Sequence, residues 1–306
     1  MHPVLFRIPL VHLPIFSYGV MLGLSLMIGW YIVLGLCERD GMDREKMGRL
    51  YMWTAVGSVA SSRILYVITE WPQFEDNLFR IFAVWEGGLV AYGGFIGGLL
   101  TSIVWCKLNK VRLLAWADCV VPSLGTGLAC TRIGCLLFGC DFGKVTTASW
   151  ALRFPAGSPA WQEQLRQGMI DKAATTSLPV HPTQIYEALI GLALFGIVML
   201  VRRYRTFSGQ MFIAFTIGYG VLRFYVETLR ADSERGTVGP FSTSQFIGIV
   251  SSLLAIGLYF YLRRAWKADP QSMRYWELPP LDAPVSASAS AASVSAAPLK
   301  RRRRGK

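Results

Sequence analysis

Residues 15–37, 87–106 and 239–262 contain no Asp, Glu, Lys or Arg. Apolar runs of about 18 or more residues are long enough to cross a bilayer as helices. A helix suits that solvent because its backbone polar groups are satisfied within the segment. The chain is therefore held to folds built from membrane-spanning helices. Its 306 residues are 53% hydrophobic and 16% charged, against roughly 25% charged in a soluble domain. A cytosolic enzyme, a disordered protein and a fibrous repeat are all excluded. The remaining apolar segments are interrupted by single charges. They cover residues 50–69 with Arg63, 81–106 with Glu86 near the start, and 113–131 with Asp118. Residues 182–201 follow with Glu187, then 209–227 with Arg223 near the end. The expectation is an all-α polytopic membrane protein of about seven transmembrane helices. The bundle covers residues 1–268, including the loop 132–181, and a tail covers 269–306.

Charge in the loops sets the orientation. Arg39, Arg44, Lys46 and Arg49 follow the first span, Lys107, Lys110 and Arg112 the third, and Arg202, Arg203 and Arg205 the fifth. Arg263, Arg264 and Lys267 follow the seventh, and only Arg80 lies between spans two and three. Positive residues collect on the cytoplasmic side, so the N-terminus is expected outside and the C-terminus in the cytoplasm. The net charge of +12 comes largely from these loops and from residues 300–306, and does not imply nucleic acid. The tail beyond Pro279 is rich in Ser, Ala and Val. It reads as low-complexity and disordered, with a basic end that either meets anionic inner-leaflet lipid or only aids solubility. No cleavable signal peptide is expected, because the first apolar run is too long and lacks an A-x-A site. Leu36 is too large to precede a lipoprotein cleavage at Cys37. Trp150, Phe154 and Trp161 predict a small ordered extracytoplasmic cap within the loop between spans four and five.

The charges inside the spans sort by depth. Arg63, Glu86, Arg132, His181, Glu187, Arg223, Glu227 and Arg230 fall toward the outer ends, and Asp118 alone toward the cytoplasm. Ionisable groups in hydrocarbon are costly and usually face a cavity or a partner. One polar cavity near the outer leaflet is expected, with arginines in excess; structural ion pairs between helices are the alternative reading. Arginine's planar fork binds phosphate bidentately, so Arg63, Arg132 and Arg223 suit an anionic phospholipid headgroup. Glu227 shares a helix face with Arg223, and Tyr219 lies one turn earlier. Gly93/Gly97 and Gly94/Gly98 form G-x-x-x-G pairs that predict close helix packing, or a close approach of lipid. The cysteines at 37, 106, 119, 130, 135 and 140 lie mostly in apolar runs, where cysteine behaves as a small hydrophobe. No metal or cofactor is expected from their spacing. For Cys135 and Cys140 a disulfide, free thiols and a role in the site are all open.

Several short motifs occur in order along these spans. They are Tyr18-Gly19, Ser62-Arg63-Ile64-Leu65-Tyr66-Val67, Trp85-Glu86-Gly87-Gly88 and Tyr92-Gly93-Gly94-Phe95-Ile96-Gly97. Arg132-Ile133-Gly134-Cys135 with Gly139 and Gly143 comes next, then His181-Pro182-Thr183-Gln184-Ile185-Tyr186-Glu187. Gly218-Tyr219-Gly220, leading to Arg223, Glu227 and Arg230, is the last. Over about residues 10–265 the chain resembles the bacterial prolipoprotein diacylglyceryl transferases. The resemblance implies transfer of the diacylglyceryl group of phosphatidylglycerol to the lipobox cysteine of a prolipoprotein, with release of glycerol phosphate, in the bacterial cytoplasmic (inner) membrane. It makes Arg132 and Arg223 the phosphate-binding arginines, and matches Tyr18, Tyr219, Gly134, Gly143 and Glu227 to other positions on which that family relies. The family signature often reads G-R-x-G-N-F-x-N-x-E-x-x-G, whereas residues 131–143 here lack both asparagines and the glutamate. Tyr92 stands where the family has a histidine. A branch of the family carries a Gly-Cys…Gly-Cys form, which this stretch resembles.

The chemistry then needs a thiolate, since the thiol is the weaker nucleophile. It also needs stabilisation of the leaving phosphate, for which Arg132 and Arg223 are suited. Tyr92 or His181 could accept the thiol proton. His181 could instead cap the fifth span with Pro182 at its first position, and Tyr92 could be an interfacial anchor. A transporter, or a paralogue that binds anionic lipid without transferring it, is the competing reading. The sequence does not give the oligomeric state.

Overall fold

The computed structural model describes residues 4–7, 14–83, 87–231 and 236–276. Trp85, Glu86 and residues 277–306 of the expected tail lie outside the described residues. A short hairpin pairs β1 (Val4–Arg7) with β2 (Pro14–Phe16) ahead of α1 (Ser17–Arg39) and α2 (Arg44–Thr69). Two 3₁₀ turns, Trp71–Gln73 and Leu78–Phe82, lead to α3 (Ala91–Leu108) and α4 (Leu113–Phe138). The short α5 (Pro159–Arg166) precedes α6 (Thr183–Tyr204) and α7 (Gln210–Leu229). A second hairpin, β3 (Thr237–Val238) with β4 (Phe241–Ser242), leads into α8 (Thr243–Ala268).

This is an all-α polytopic membrane protein. Helices α1, α3, α4, α6, α7 and α8 are each long and apolar enough to cross a membrane. The expected second span, α2, is 26 residues long. Its polar side, Ser58, Ser61, Ser62 and Arg63, leaves it less apolar than these six. Two boundaries depart furthest from expectation. The third span starts at Ala91 rather than near 81, because residues 78–82 wind into a 3₁₀ turn. The fourth runs seven residues past 131 to Phe138, since Arg132 finds partners and does not end the helix.

The chain divides into two compact units. In the unit Leu36–Trp116 with Trp266–Lys306, α3 lies directly on α2. A Cβ on Gly97 would come 2.2 Å from Ser61 Oγ, and one on Gly93 would come 2.5 Å from the Ser61 carbonyl oxygen. Gly94 and Gly98 have more room, so the first of the two G-x-x-x-G pairs is the contact seam. Ser58 donates to the Gly94 carbonyl at 2.8 Å and Ser62 to that of Val90 at 2.7 Å. Met273 is buried, and Arg112 lies over the Tyr275 ring at 5.4 Å. Residues 269–276, expected in the tail, thus include groups in contact with this unit.

In the unit Met1–Gly35 with Ala117–Ala265, a core of Val121, Leu194, Val198, Met211 and Phe215 joins α4, α6 and α7. Gly125 and Gly191 let α4 and α6 touch: a Cβ on Gly191 would sit 2.6 Å from the Gly125 carbonyl oxygen. Asp118 is fully buried on α4 and caps α7. Its carboxylate accepts from the backbone N–H of Gly209 at 2.8 Å and of Phe212 at 3.1 Å.

The segment between α4 and α6 is an ordered cap. Phe154 is fully buried, with Phe142, Ala160 and Val180 around it. Antiparallel bridges join Val145 and Leu152 to Val180. Ser158 caps α5, and Trp161 donates its indole N–H to the Ala174 carbonyl at 2.8 Å. Hydrogen bonds from Arg166 hold the Glu163 carboxyl below its usual pKa.

Candidate active site

Helix α4 is followed by Gly139, whose backbone is left-handed at φ 89°. Left-handed backbone costs glycine nothing, and the chain turns here. Asp141, two residues on, is left-handed as well at φ 59°, a conformation that Asp tolerates better than most residues. The turn is pinned from the start of α6. Thr183 Oγ1 donates to the Asp141 carbonyl at 2.6 Å and Gln184 Nε2 to that of Cys140 at 2.7 Å. Its carboxylate thereby reaches Arg132 and Arg230.

One connected ion-pair network follows. Glu187 on α6 is its centre, buried and contacted by three arginines. Arg132 Nε lies 2.6 Å from Glu187 Oε2, close but without hydrogen-bond alignment. Arg223 Nη1 and Arg230 Nη1 both reach Glu187 Oε1, the latter at 2.8 Å. Arg223 Nη2 lies 2.8 Å from Glu227 Oε2, the i,i+4 pair read from the sequence. Glu227 Oε1 accepts from Ser242 at 3.0 Å. Asp141 takes Arg132 Nη1 on one oxygen at 2.5 Å and Arg230 Nη2 on the other. Among the described residues, three arginines thus meet three carboxylates inside one unit. The expected excess of positive charge is corrected. Asp141 enters the network, Glu86 lies outside the described residues, and Arg63 has other partners.

Arg63 donates to four backbone carbonyls, those of Ile81 (3.0 Å), Arg80 (2.6 Å), Gly87 (2.6 Å) and Gly88 (3.1 Å). Its guanidinium also lies over the rings of Tyr66 and Phe74. Gly87 and Gly88 are both left-handed, and Arg63 ties their turn to α2. Tyr92 lies in the same unit, in the first turn of α3, and is part-exposed.

The remaining expected residues take separate places in this unit. Tyr18, in the first turn of α1, lies against α4 at Gly134. A Cβ on Gly134 would meet the Tyr18 backbone at 3.2 Å, so that glycine lets α1 approach α4. Gly143 is tighter: its N–H donates to the His181 carbonyl at 3.0 Å, and a Cβ there would meet that oxygen at 2.7 Å and the Leu229 oxygen at 2.9 Å. Tyr219 stacks on Phe215 at 6.0 Å and packs on the α4–α6–α7 core. His181 belongs to a separate chain of contacts. Trp150 Nε1 donates to the Tyr186 hydroxyl at 2.6 Å, and that hydroxyl lies 3.2 Å from His181 Nδ1. An indole N–H only donates, so the Tyr186 hydroxyl accepts from Trp150, and the direction of its bond with Nδ1 follows the imidazole tautomer. Cys135, Cys140 and Asp141 have side-chain ligand atoms within 4.8 Å of one another. Both carboxylate oxygens of Asp141 already hold arginines.

Asp141 is the site residue that sequence reasoning missed. The available signal was that Asp141 is the only acid between Asp118 and Glu163.

The chain is similar to known proteins over most of its length. The sequence model of the family described as prolipoprotein diacylglyceryl transferase matches residues 3–261. "Phosphatidylglycerol--prolipoprotein diacylglyceryl transferase 2" of Clostridium perfringens is 36% identical over 248 residues, 81% of this chain and 91% of its own length. The phosphatidylglycerol--prolipoprotein diacylglyceryl transferase of Listeria welshimeri is 32% identical over 246 residues, covering 80% and 85%. That of Clostridium tetani is 31% identical over 259 residues, covering 85% and 97%. The chain belongs to the prolipoprotein diacylglyceryl transferase family.

Proposed function

We propose that this chain transfers the diacylglyceryl group of phosphatidylglycerol to the lipobox cysteine thiol of prolipoproteins. A thioether forms and glycerol phosphate leaves. The observation that carries this reading is the buried cluster of Arg132, Arg223 and Arg230 around Glu187, in a chain of this family. The lipid's glycerol carbon is the electrophile, and the carbon–oxygen bond to phosphate breaks as the carbon–sulfur bond forms. Charge then builds on the departing phosphate, where fixed guanidinium donors away from bulk water stabilise it most. The same positive groups favour the thiolate form of the incoming cysteine.

In this reading Arg132 and Arg223 hold the phosphate, with Arg230 beside them as a third donor. Glu227 and Glu187 orient the arginines, and Tyr18 and Tyr219 flank the headgroup. Tyr92 and His181 are the two groups proposed to take up the thiol proton. Arg63 acts indirectly, by holding the Gly87–Gly88 turn ahead of α3. Gly134 and Gly143 allow the backbone approaches that bring Tyr18 and His181 in. The membrane is the bacterial inner membrane. The cap and the arginine cluster face its outer leaflet, where signal peptides emerge, and residues beyond the last helix are cytoplasmic.

The test is incubation of the purified full chain in nanodiscs with phosphatidylglycerol and a lipobox peptide. The expected result is a mass gain of one diacylglyceryl group on the peptide cysteine, with released glycerol phosphate, and its loss in Arg132→Ala and Arg223→Ala. Absence of any mass gain while phosphatidylglycerol still binds would sink the transferase reading.

A further inference from the structure

We propose that the Asp141 carboxylate is a built-in stand-in for the lipid phosphate, holding Arg132 and Arg230 between turnovers and swinging aside when the headgroup enters. The anion's identity rests on the transferase reading above. The displacement itself rests on three features of the network.

The first is geometry. Asp141 offers its two oxygens to two different arginines, Arg132 Nη1 and Arg230 Nη2. A phosphodiester presents two non-bridging oxygens in the same way, and guanidinium donors recognise carboxylate and phosphate by the same planar fork. The second is freedom to move. Glu187 and Glu227 stand on helices with side chains 3% and 8% exposed, whereas Asp141 sits on a turn and is 17% exposed. The backbone of that turn is fixed by Thr183 and Gln184, so rotation of one side chain clears the site without moving the loop. The third is charge. A buried ion cluster tolerates an unpaired charge poorly. The described network holds three arginines and three carboxylates, so exchanging the Asp141 carboxylate for a phosphodiester, one negative charge for one, keeps it balanced. Glycerol phosphate leaves as a monoester able to carry a second negative charge. The network is then over-compensated, and return of Asp141 to the arginines expels the product.

The test compares the wild-type full chain with Asp141→Asn, in nanodiscs of zwitterionic lipid doped with phosphatidylglycerol. Asn is close in shape and accepts left-handed backbone, so the turn is retained while the competing charge is removed. Binding of radiolabelled glycerol 1-phosphate and of inorganic phosphate is measured beside KM and kcat. The variant is expected to bind glycerol 1-phosphate about tenfold more tightly and to lower KM for phosphatidylglycerol in step. kcat should fall because product is retained. A purely supporting Asp141 would loosen the arginines instead, so unchanged or weaker glycerol 1-phosphate binding overturns the proposal. Tighter binding of the two free phosphates with KM for phosphatidylglycerol unmoved would overturn the assignment to the lipid headgroup. If Asp141→Asn does not fold, Asp141→Gly, also at ease at φ 59°, must show the same tightening. A wild type that transfers no lipid overturns the function proposed above but leaves the phosphate-binding comparison intact. A wild type that transfers, with variants that bind no tighter, overturns the Asp141 proposal alone.

Discussion

Glu187 is the residue on which Arg132, Arg223 and Arg230 converge. Removing one partner from a buried ion cluster leaves uncompensated charge and costs about 3–5 kcal/mol. Glu187→Gln keeps the shape and deletes the charge. It should lower the thermal midpoint of the detergent-solubilised chain by ten degrees or more, on the order of 3 kcal/mol or above. A midpoint within two or three degrees of wild type would refute the central role of Glu187. Arg223→Lys tests the donors rather than the charge. Lysine supplies one ammonium where the guanidinium reaches Glu187 and Glu227 with separate nitrogens. Transfer should fall by about 100-fold, the order seen when a fixed transition-state donor is lost, with folding retained. Sequence alone gave the Arg223–Glu227 pair, because four residues on a helix fix two side chains on one face. It could not give Asp141, which meets Arg230 across 89 positions and only from a left-handed turn. The partners of Arg63 are hidden in the same way. Its carbonyl partners lie 17 to 25 residues ahead, in a loop with no periodic pattern to reveal it.

Among the helices, the firmest expectation concerns the start of α7. The first N–H groups of a helix have no partner within it, and here the partner is Asp118 on another helix. The lone charge that sequence placed toward the cytoplasm is therefore a cap. Asp118→Ala should destabilise by about 2 kcal/mol and leave substrate affinity unchanged where the protein stays folded. A thermal shift below two degrees would contradict the cap. The α2–α3 seam is the second case. Gly97→Leu places a side chain where a single Cβ already meets Ser61 Oγ at 2.2 Å. The helices must separate, at a cost of about 1–3 kcal/mol, whereas Gly98→Leu has space and should be near neutral. Equal effects at the two positions, read as thermal midpoints, would show that the seam is not there. The glycine spacing was legible in the sequence, but which of the two pairs forms the contact depends on helix rotation. The third span starts later than expected because Ile81 and Phe82 are apolar enough to join a span, yet belong to a 3₁₀ turn.

For the whole molecule, the spans were legible because a bilayer admits so few backbone solutions that unbroken apolar length is nearly sufficient. Orientation rests on loop charge. Alkaline phosphatase fused after Gln167 in the cap should be active, and fused after Lys110 it should not; the reverse pattern would invert the molecule. The network also carries a consequence for how the chain enters the membrane. Helices emerge from the ribosome in order, so Arg132 arrives some fifty residues before Glu187 and about ninety before Arg223. Held that long without a counterion, an arginine at a span end would pull its helix back toward water. Asp141, nine residues on and within reach of Arg132, emerges almost at once and can neutralise it during the wait. The carboxylate that later yields to a lipid would first have served as a temporary escort in biogenesis, holding α4 in place until the rest of the cluster arrives.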